Sequence, residues 1–227
     1  MEILSQIQHL YAGKPQAFGP RKSSSSIIKQ PHKTLNITFD GSLEDEQGNK
    51  KLHGGPYMAL HQFSQQNYSI VQDNFPDTPQ PIEVGTIGEN ISAPNMNERN
   101  VFIGDKYQVG NVILQVVSPR APCSKINHRY GQRRIDLFIA ENALTGWYYS
   151  VLQEGEISVG DNIELFFRDK APISIEQIWQ IRYLKLPVAN EAEWLALATQ
   201  TFHESALAPE WKEHISRVIK KLTRTKN

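Results

Sequence analysis

The run Val112-Ile113-Leu114-Gln115-Val116-Val117 is an apolar stretch of strand length, and the residues after it dictate how that strand must end. In Ser118-Pro119-Arg120-Ala121-Pro122-Cys123 two prolines stand three apart. Neither can donate to a ladder, so the chain has to leave the sheet there in a stiff, extended conformation. Other short runs supply neighbours. Residues 2–10 alternate loosely; Leu35, Ile37 and Phe39 share a face; Val101-Phe102-Ile103 and then Tyr107 with Val109 lead into the central run. Beyond it come Trp147-Tyr148-Tyr149-Ser150-Val151-Leu152 and Ile163, Leu165 and Phe167, with turns at Gly155 and Gly160-Asp161. Short strands at this spacing, broken by Gly and Pro, predict a mainly β barrel or sandwich.

Helical signals are sparser. Pro56 with Tyr57, Leu60, Phe63 and Tyr68 predicts a helix over 56–71, and Ile135, Phe138, Ile139 and Asn142 predict another that Gly146 stops. The Gly, Pro, Lys and Ser-rich residues 11–30 read as a loop, mobile at 23–26. From Ala171 the texture changes. Ser174-Ile175-Glu176-Gln177 is a capping box, Asn190-Glu191-Ala192-Glu193 opens a second helix, and Pro209 a third with Trp211, Ile215, Val218 and Ile219 on one side. Residues 1–170 are therefore expected to form the β-barrel domain and 171–227 a small three-helix domain. Each helix carries one apolar stripe, as a tail covering part of the barrel would, and the basic residues 220–226 read as a solvated helix end.

Composition narrows function. In 227 residues, 24 acidic and 24 basic side chains balance, so no global field favours a nucleic-acid polymer or an anionic membrane. One cysteine excludes an internal disulfide framework and a multi-cysteine zinc site, and the seven histidines form no ligand-spaced pair with it. With no signal-like start and no apolar run of membrane-spanning length, the expectation is a cytoplasmic protein.

Three segments carry candidate chemistry. Cys123 lies just past a strand end among Arg120, Lys125, His128 and Arg129, and cations near a thiol favour the thiolate, which is both nucleophile and metal ligand. The competing reading is a small buried hydrophobe. In Lys51-Leu52-His53-Gly54-Gly55-Pro56 the glycine N–H groups could face an anion with Lys51 and His53 nearby, although Gly-Gly-Pro is equally an ordinary turn. Glu89 and Asn90, after Gly85-Thr86-Ile87-Gly88, offer an acceptor and an amide to a polar ligand, or make a turn between strands.

Together these segments resemble the MOSC family, named for the C-terminal domain of molybdenum-cofactor sulfurases, and most closely its YiiM-like branch. The likeness rests on Asp45-Glu46-Gln47, His53-Gly54-Gly55-Pro56 with Ala59-Leu60, Gly88-Glu89-Asn90-Ile91, Ile103-Gly104-Asp105, Gly146-Trp147-Tyr148 and Gly160-Asp161. Its most specific part runs from Gln115-Val116 through Pro119-Arg120-Ala121-Pro122-Cys123 to Lys125, and the C-terminal helix trio matches the branch's three-alpha domain. One departure is Glu44, where the family often has glycine.

The resemblance implies a MOSC β-barrel that binds a molybdenum cofactor (molybdopterin) with Cys123 as the metal ligand. It implies cofactor contacts from Lys51, His53, Gly54, Gly55, Glu89, Asn90, Arg120 and Lys125, and proton supply from His53, His128 or Glu89. The implied reaction is reduction of N-hydroxylated small molecules, N-hydroxylated purine bases included, with electrons from a separate reductase. Pyridoxal phosphate binding is a further family association. Two other readings stay open: a sulfur carrier that forms a persulfide on Cys123, and a non-catalytic module, which requires a fully buried Cys123 and no anion pocket.

Overall fold

The computed structural model describes residues 2–48, 54–183 and 191–224; Lys51 and His53 lie outside these, as does the start of the second C-terminal helix at Asn190. Strands β1 (Glu2–Gln6) and β2 (His9–Ala12) open the chain, followed by the hairpin β3 (Gln16–Phe18) and β4 (Ser23–Ser25), then β5 (Gln30–His32), β6 (Thr34–Thr38) and β7 (Gly41–Ser42). A 3-10 turn at Pro56–Met58 precedes β8 (Leu60–Gln62), helix α1 (Gln65–Asn74), β9 (Ile91–Ser92), β10 (Lys106–Val109) and β11 (Val112–Pro119). Two short helices, α2 (Lys125–Tyr130) and α3 (Ile135–Glu141), lead to β12 (Trp147–Gln153), β13 (Gly155–Ser158) and β14 (Asn162–Phe167). Helices α4 (Ile175–Tyr183), α5 (Glu191–His203) and α6 (Pro209–Arg224) complete the described chain.

Nine strands form one sheet in the order β1-β14-β10-β11-β12-β8-β9-β2-β5. It is antiparallel except where β8 runs parallel to β9. Only Ile7 and Gln8 separate β1, at one edge, from β2, near the other. Ile7 N–H donates to the Asp161 carbonyl at 2.9 Å and Gln8 N–H to the Ser92 carbonyl at 3.0 Å. So short a link can join the two sides only if the sheet curls onto itself, and the result is barrel-like. The single strand expected over 2–10 is thus two, because its halves pair with different partners.

The interior of the curl holds Leu10, Leu35, Leu60, Tyr107, Leu114, Trp147 and Tyr149 in one apolar cluster. That cluster continues without a break into Trp179, Trp194, Trp211 and Ile215 of the C-terminal helices. A second, smaller cluster joins Phe63, Tyr68 and Val71 to Ile126, Tyr130, Ile135 and Ile139, so α1, α2 and α3 pack together outside the barrel.

Three sequence expectations are corrected. The helix over 56–71 is a 3-10 turn, a strand and a later helix. Ala59 N–H donates to the Tyr149 carbonyl at 3.1 Å, and residues 60–62 then pair with Tyr149, Tyr148 and Trp147, so a period of two displaces the helical period. Residues 23–25, expected to be mobile, are a strand, with Ser25 buried. Val101-Phe102-Ile103 is not a strand; Phe102 makes one isolated bridge to Ser174, flanked by Ile103 N–H to the Ile173 carbonyl and Ile175 N–H to the Val101 carbonyl. The capping box is present in both directions: Gln177 N–H donates to Ser174 Oγ at 3.1 Å and Ser174 N–H to Gln177 Oε1 at 2.9 Å.

Candidate functional site

On β8 and β12 the alternation that sends Leu60, Trp147 and Tyr149 into the barrel sends His61 and Tyr148, directly opposite each other, to the outer face. There they line a pocket. Its floor continues to Arg120, whose N–H donates to the Gly146 carbonyl at 3.1 Å as β11 ends, and its rim carries Ala121, Cys123 and Lys125. Opposite lie Ser25, Ser26, Ile27 and Lys29, the segment Asp45, Gln47 and Gly48, and Ile87, Gly88 and Asn90 from the turn before β9; Met58 and Ala59 close it. The cavity measures about 110 Å³ and opens to solvent.

Polar groups fix the walls. Lys29 and Asp45 form an ion pair with side chains only 5% and 7% exposed. Burial pushes the Lys29 ammonium below its ordinary 10.5 while Asp45 pulls it back up. Asp45 also accepts from Gly13 N–H at 2.8 Å and from Asn90 Nδ2 at 2.9 Å, and Asn90 Oδ1 accepts from His61 N–H at 3.0 Å. Lys125 Nζ donates to the Ser24 carbonyl at 2.6 Å, tying the cysteine loop to the opposite wall.

Two buried side-chain atoms of lining residues have no hydrogen-bond partner among the described residues: Arg120 Nη1 and His61 Nε2. The residues themselves are 7% and 4% exposed. Arg120 spends Nη2 on the Ile87 carbonyl at 3.3 Å, leaving Nη1 as a cationic donor. Burial holds His61 well below its ordinary 6.5, the Arg120 charge lowers it further, a backbone hydrogen bond at Gly88 opposes this, and Lys29 lowers it again. The imidazole is therefore neutral. Burial likewise raises the Tyr148 hydroxyl above 10.0, so it stays protonated.

Of the residues singled out in the sequence, Arg120, Cys123, Lys125 and Asn90 come together in this pocket. Glu89 does not line it. Fully buried, it accepts from the Tyr68 hydroxyl, from Gly85 N–H at 2.7 Å and from Ile87 N–H at 3.2 Å, which shapes the turn. His128 is exposed, beside Gly19, and Arg129 donates Nη1 to the Ile27 carbonyl at 2.9 Å. Gly54 and Gly55 are not lining residues, although Met58 and Ala59 just after them are. His61, Tyr148 and Lys29 were missed. For His61 and Tyr148 the signal was there, as polar-bearing residues alternating with core residues in Leu60-His61-Gln62 and Trp147-Tyr148-Tyr149.

The donor set can be tested against a molybdopterin-type cofactor. Cys123 is a free, partly exposed thiol on the rim. Among the described residues no three His, Cys, Asp or Glu side chains gather to hold an ion, and a molybdopterin-type group would bring metal ligands of its own beside the Cys123 sulfur. An unpartnered arginine donor beside a lysine suits the anionic end of such a group. The residues fit.

The MOSC domain family model matches residues 49–164, half of the chain. The chain belongs to the MOSC domain family. Protein YiiM of Escherichia coli (strain K12) is 34% identical over 159 residues, spanning 70% of this chain and 71% of that protein. A protein named Reductase from Gibberella moniliformis is 32% identical over 179 residues, which are 77% of this chain but 32% of that longer protein. The crystal structure of YiiM from Geobacillus stearothermophilus superposes with a TM-score of 0.76 at 25% identity, covering 95% of this chain and 99% of that one. MOSC domains are associated with the molybdenum cofactor. The matched stretch holds His61, Arg120, Cys123, Lys125 and Tyr148, whereas Ser25, Lys29 and Asp45, on the opposite wall, precede it.

Proposed function

We propose that the pocket holds a molybdenum cofactor with the Cys123 sulfur on the metal, and that the protein is an oxidoreductase acting on N-hydroxylated small molecules. The observation that carries this reading is the meeting of the one thiol with the unpartnered Arg120 Nη1 in a single pocket. A fully buried packing cysteine has no use for such a neighbour. The name of the longer relative, Reductase, agrees with a reductive reaction, for which the proposed electron source is a separate reductase.

The reaction balances as R–NH–OH plus two electrons and two protons giving R–NH2 plus water. When bound, the cofactor supplies the two-electron chemistry. The chain's residues bind and orient: Arg120 and Lys125 hold the anionic end of the cofactor, and the Lys29–Asp45–Asn90 network keeps the facing wall in place. Tyr148 offers a protonated hydroxyl at the floor.

Replacing Cys123 tests the reading, since serine keeps the size but is a poor ligand for a soft metal near neutral pH. Cys123→Ser protein from cofactor-producing cells should melt within about 0.5 kcal/mol of wild type, carry no molybdenum and fail to reduce an N-hydroxylated purine. Full activity in that variant, or a persulfide on Cys123 of metal-free wild type, would sink the assignment.

A further inference from the structure

The cavity beside Cys123 is too small for a molybdenum cofactor. It measures about 110 Å³, whereas sites for small organic ligands begin at roughly 300 Å³, and a metal-bearing pterin with a phosphate arm is not among the smallest of these. One wall must therefore give way. The inner wall is held, because His61 and Tyr148 belong to paired strands of the nine-stranded sheet and Arg120 is bonded to Gly146 where that sheet ends. The outer wall is built differently.

Residues 13–29 leave the main sheet between β2 and β5, where Ala12 pairs with Gln30, and return to it at the same place. In between, β3 and β4 form a separate two-stranded sheet with most of its side chains exposed. The neck of this loop is pinned at one carboxylate: Gly13 N–H donates to Asp45 Oδ1 at 2.8 Å and Lys29 forms its ion pair with Oδ2. Asn90 Nδ2, 2.9 Å from Oδ2, holds Asp45 to the body of the fold. A loop whose two ends meet on a rigid frame can swing as a body about its neck.

The far side of the loop rests on α2. Lys125 Nζ donates to the Ser24 carbonyl at 2.6 Å and Arg129 Nη1 to the Ile27 carbonyl at 2.9 Å. Gly19 lies against the His128 ring, so that a Cβ there would come within 2.9 Å of Nδ1. Ile27 is buried in the cluster of α1, α2 and α3, with Phe18 and Ile28 partly buried beside it. These ties cross the mouth of the pocket, whose rim is Ser25, Ser26 and Ile27 on one side and Cys123 and Lys125 on the other. Both polar ties end on backbone carbonyls, so parting them breaks no ion pair, and water can replace each partner at small net cost.

We propose that residues 13–29 are a lid over the Cys123 pocket, hinged at Gly13 and Lys29 on Asp45 and latched to α2 by Lys125 and Arg129, and that it lifts to admit the cofactor. The proposal rests on the cofactor reading for what passes beneath the lid, but the movement itself can be tested without molybdenum.

A Cβ on Gly19 would stand 3.7 Å from that of His128, a separation that a disulfide spans. Full-length Gly19→Cys/His128→Cys protein, oxidised so that the two new thiols pair, keeps Cys123 as its one free thiol. Alkylation of Cys123 is followed with iodoacetamide, which is small, and with fluorescein maleimide, which is bulky and anionic, beside wild type and an unlinked Gly19→Ser/His128→Ser control. The bridge is expected to slow the maleimide roughly tenfold against both and to leave iodoacetamide within about twofold. An unchanged maleimide rate, or equal slowing of the two reagents, overturns the proposal. Hydrogen exchange decides even where the bridge does not form: amides of β3 and β4 in wild type should exchange roughly tenfold faster than those of β2 and β5, and about threefold faster again in Arg129→Ala. Exchange at the rate of the flanking strands, or indifference to Arg129, overturns the lid as well. Gated labelling in protein that takes up no molybdenum from cofactor-producing cells removes the cofactor reading alone, and bound molybdenum in protein whose labelling is ungated removes the lid alone.

Discussion

At the scale of single residues, the site depends on one glycine that contributes no side chain. Gly146 sits at φ 68°, and a Cβ there would collide with the Gln62 carbonyl oxygen and come within 2.9 Å of His61 Nε2. Its carbonyl anchors Arg120, so one position sets both unpartnered groups. Gly146→Ala should cost on the order of 2 kcal/mol or more, from the left-handed backbone and the overlap together, read as a lower melting temperature. A variant as stable as wild type would show that the turn relaxes freely. Residue-scale features of this kind were unequally legible in the sequence. Cys123 and Arg120 could be found because two prolines force the strand to end where they stand. Glu89 was readable as a turn residue, and the three donors on its carboxylate bear that out. His61 was hidden, because whether a polar residue between apolar ones faces a core or a cavity depends on the strand it pairs with.

At the scale of elements, Glu98 ties three of them together. Its Oε1 accepts from Asn67 Nδ2 on α1 at 2.8 Å and from Gly146 N–H ahead of β12 at 2.7 Å, and its carbonyl accepts from Glu176 N–H on α4 at 2.8 Å. Burial raises its carboxyl above the ordinary 4.5, against the lowering effect of the Gly146 and Asn67 hydrogen bonds. The folded state therefore binds this proton more tightly than the unfolded chain does. Between the unfolded and the raised folded value, stability falls as pH rises, and the cost persists at neutral pH. Glu98→Gln keeps the acceptor and removes the titration. Relative to that variant, wild type should gain melting temperature as pH is lowered from about 8 towards about 5; a difference independent of pH would place the ionisation elsewhere. The C-terminal capping box was legible because its signal is local. The β8 strand was not: Tyr57, Leu60, Phe63 and Tyr68 do fit a helical face, and only the ladder to β12 decides against it. The break at Ile7 and Gln8 was hidden for the same reason.

At the scale of the molecule, the sequence divides at about residue 170 in texture, and the packing joins what the texture divides. The apolar cluster of the barrel runs on into Trp179, Trp194, Trp211 and Ile215. Backbone hydrogen bonds cross as well: Ile103 N–H to the Ile173 carbonyl at 2.9 Å, Ile175 N–H to the Val101 carbonyl at 3.0 Å and Ala208 N–H to the Val117 carbonyl at 3.0 Å. Trp179 adds an indole N–H to the Ala140 carbonyl at 2.7 Å. Burying each such large apolar side chain contributes about 1.5–3 kcal/mol, so the helices together bring as much as a whole domain's net stability. Periodicity reveals a stripe on each helix but not what lies against it, which is why a removable tail is the natural reading of the sequence and one cooperative unit the natural reading of the contacts. Val117 lies three residues before Arg120, so the α6 contact also braces the strand end that presents Cys123. A chain cut after Phe167 is accordingly expected to lose cooperative melting and to bind no cofactor, measured by scanning calorimetry and metal analysis beside the full chain. A truncated protein that melts in one sharp transition near the full-length temperature would establish instead that residues 1–167 fold alone, with the three helices as a cover.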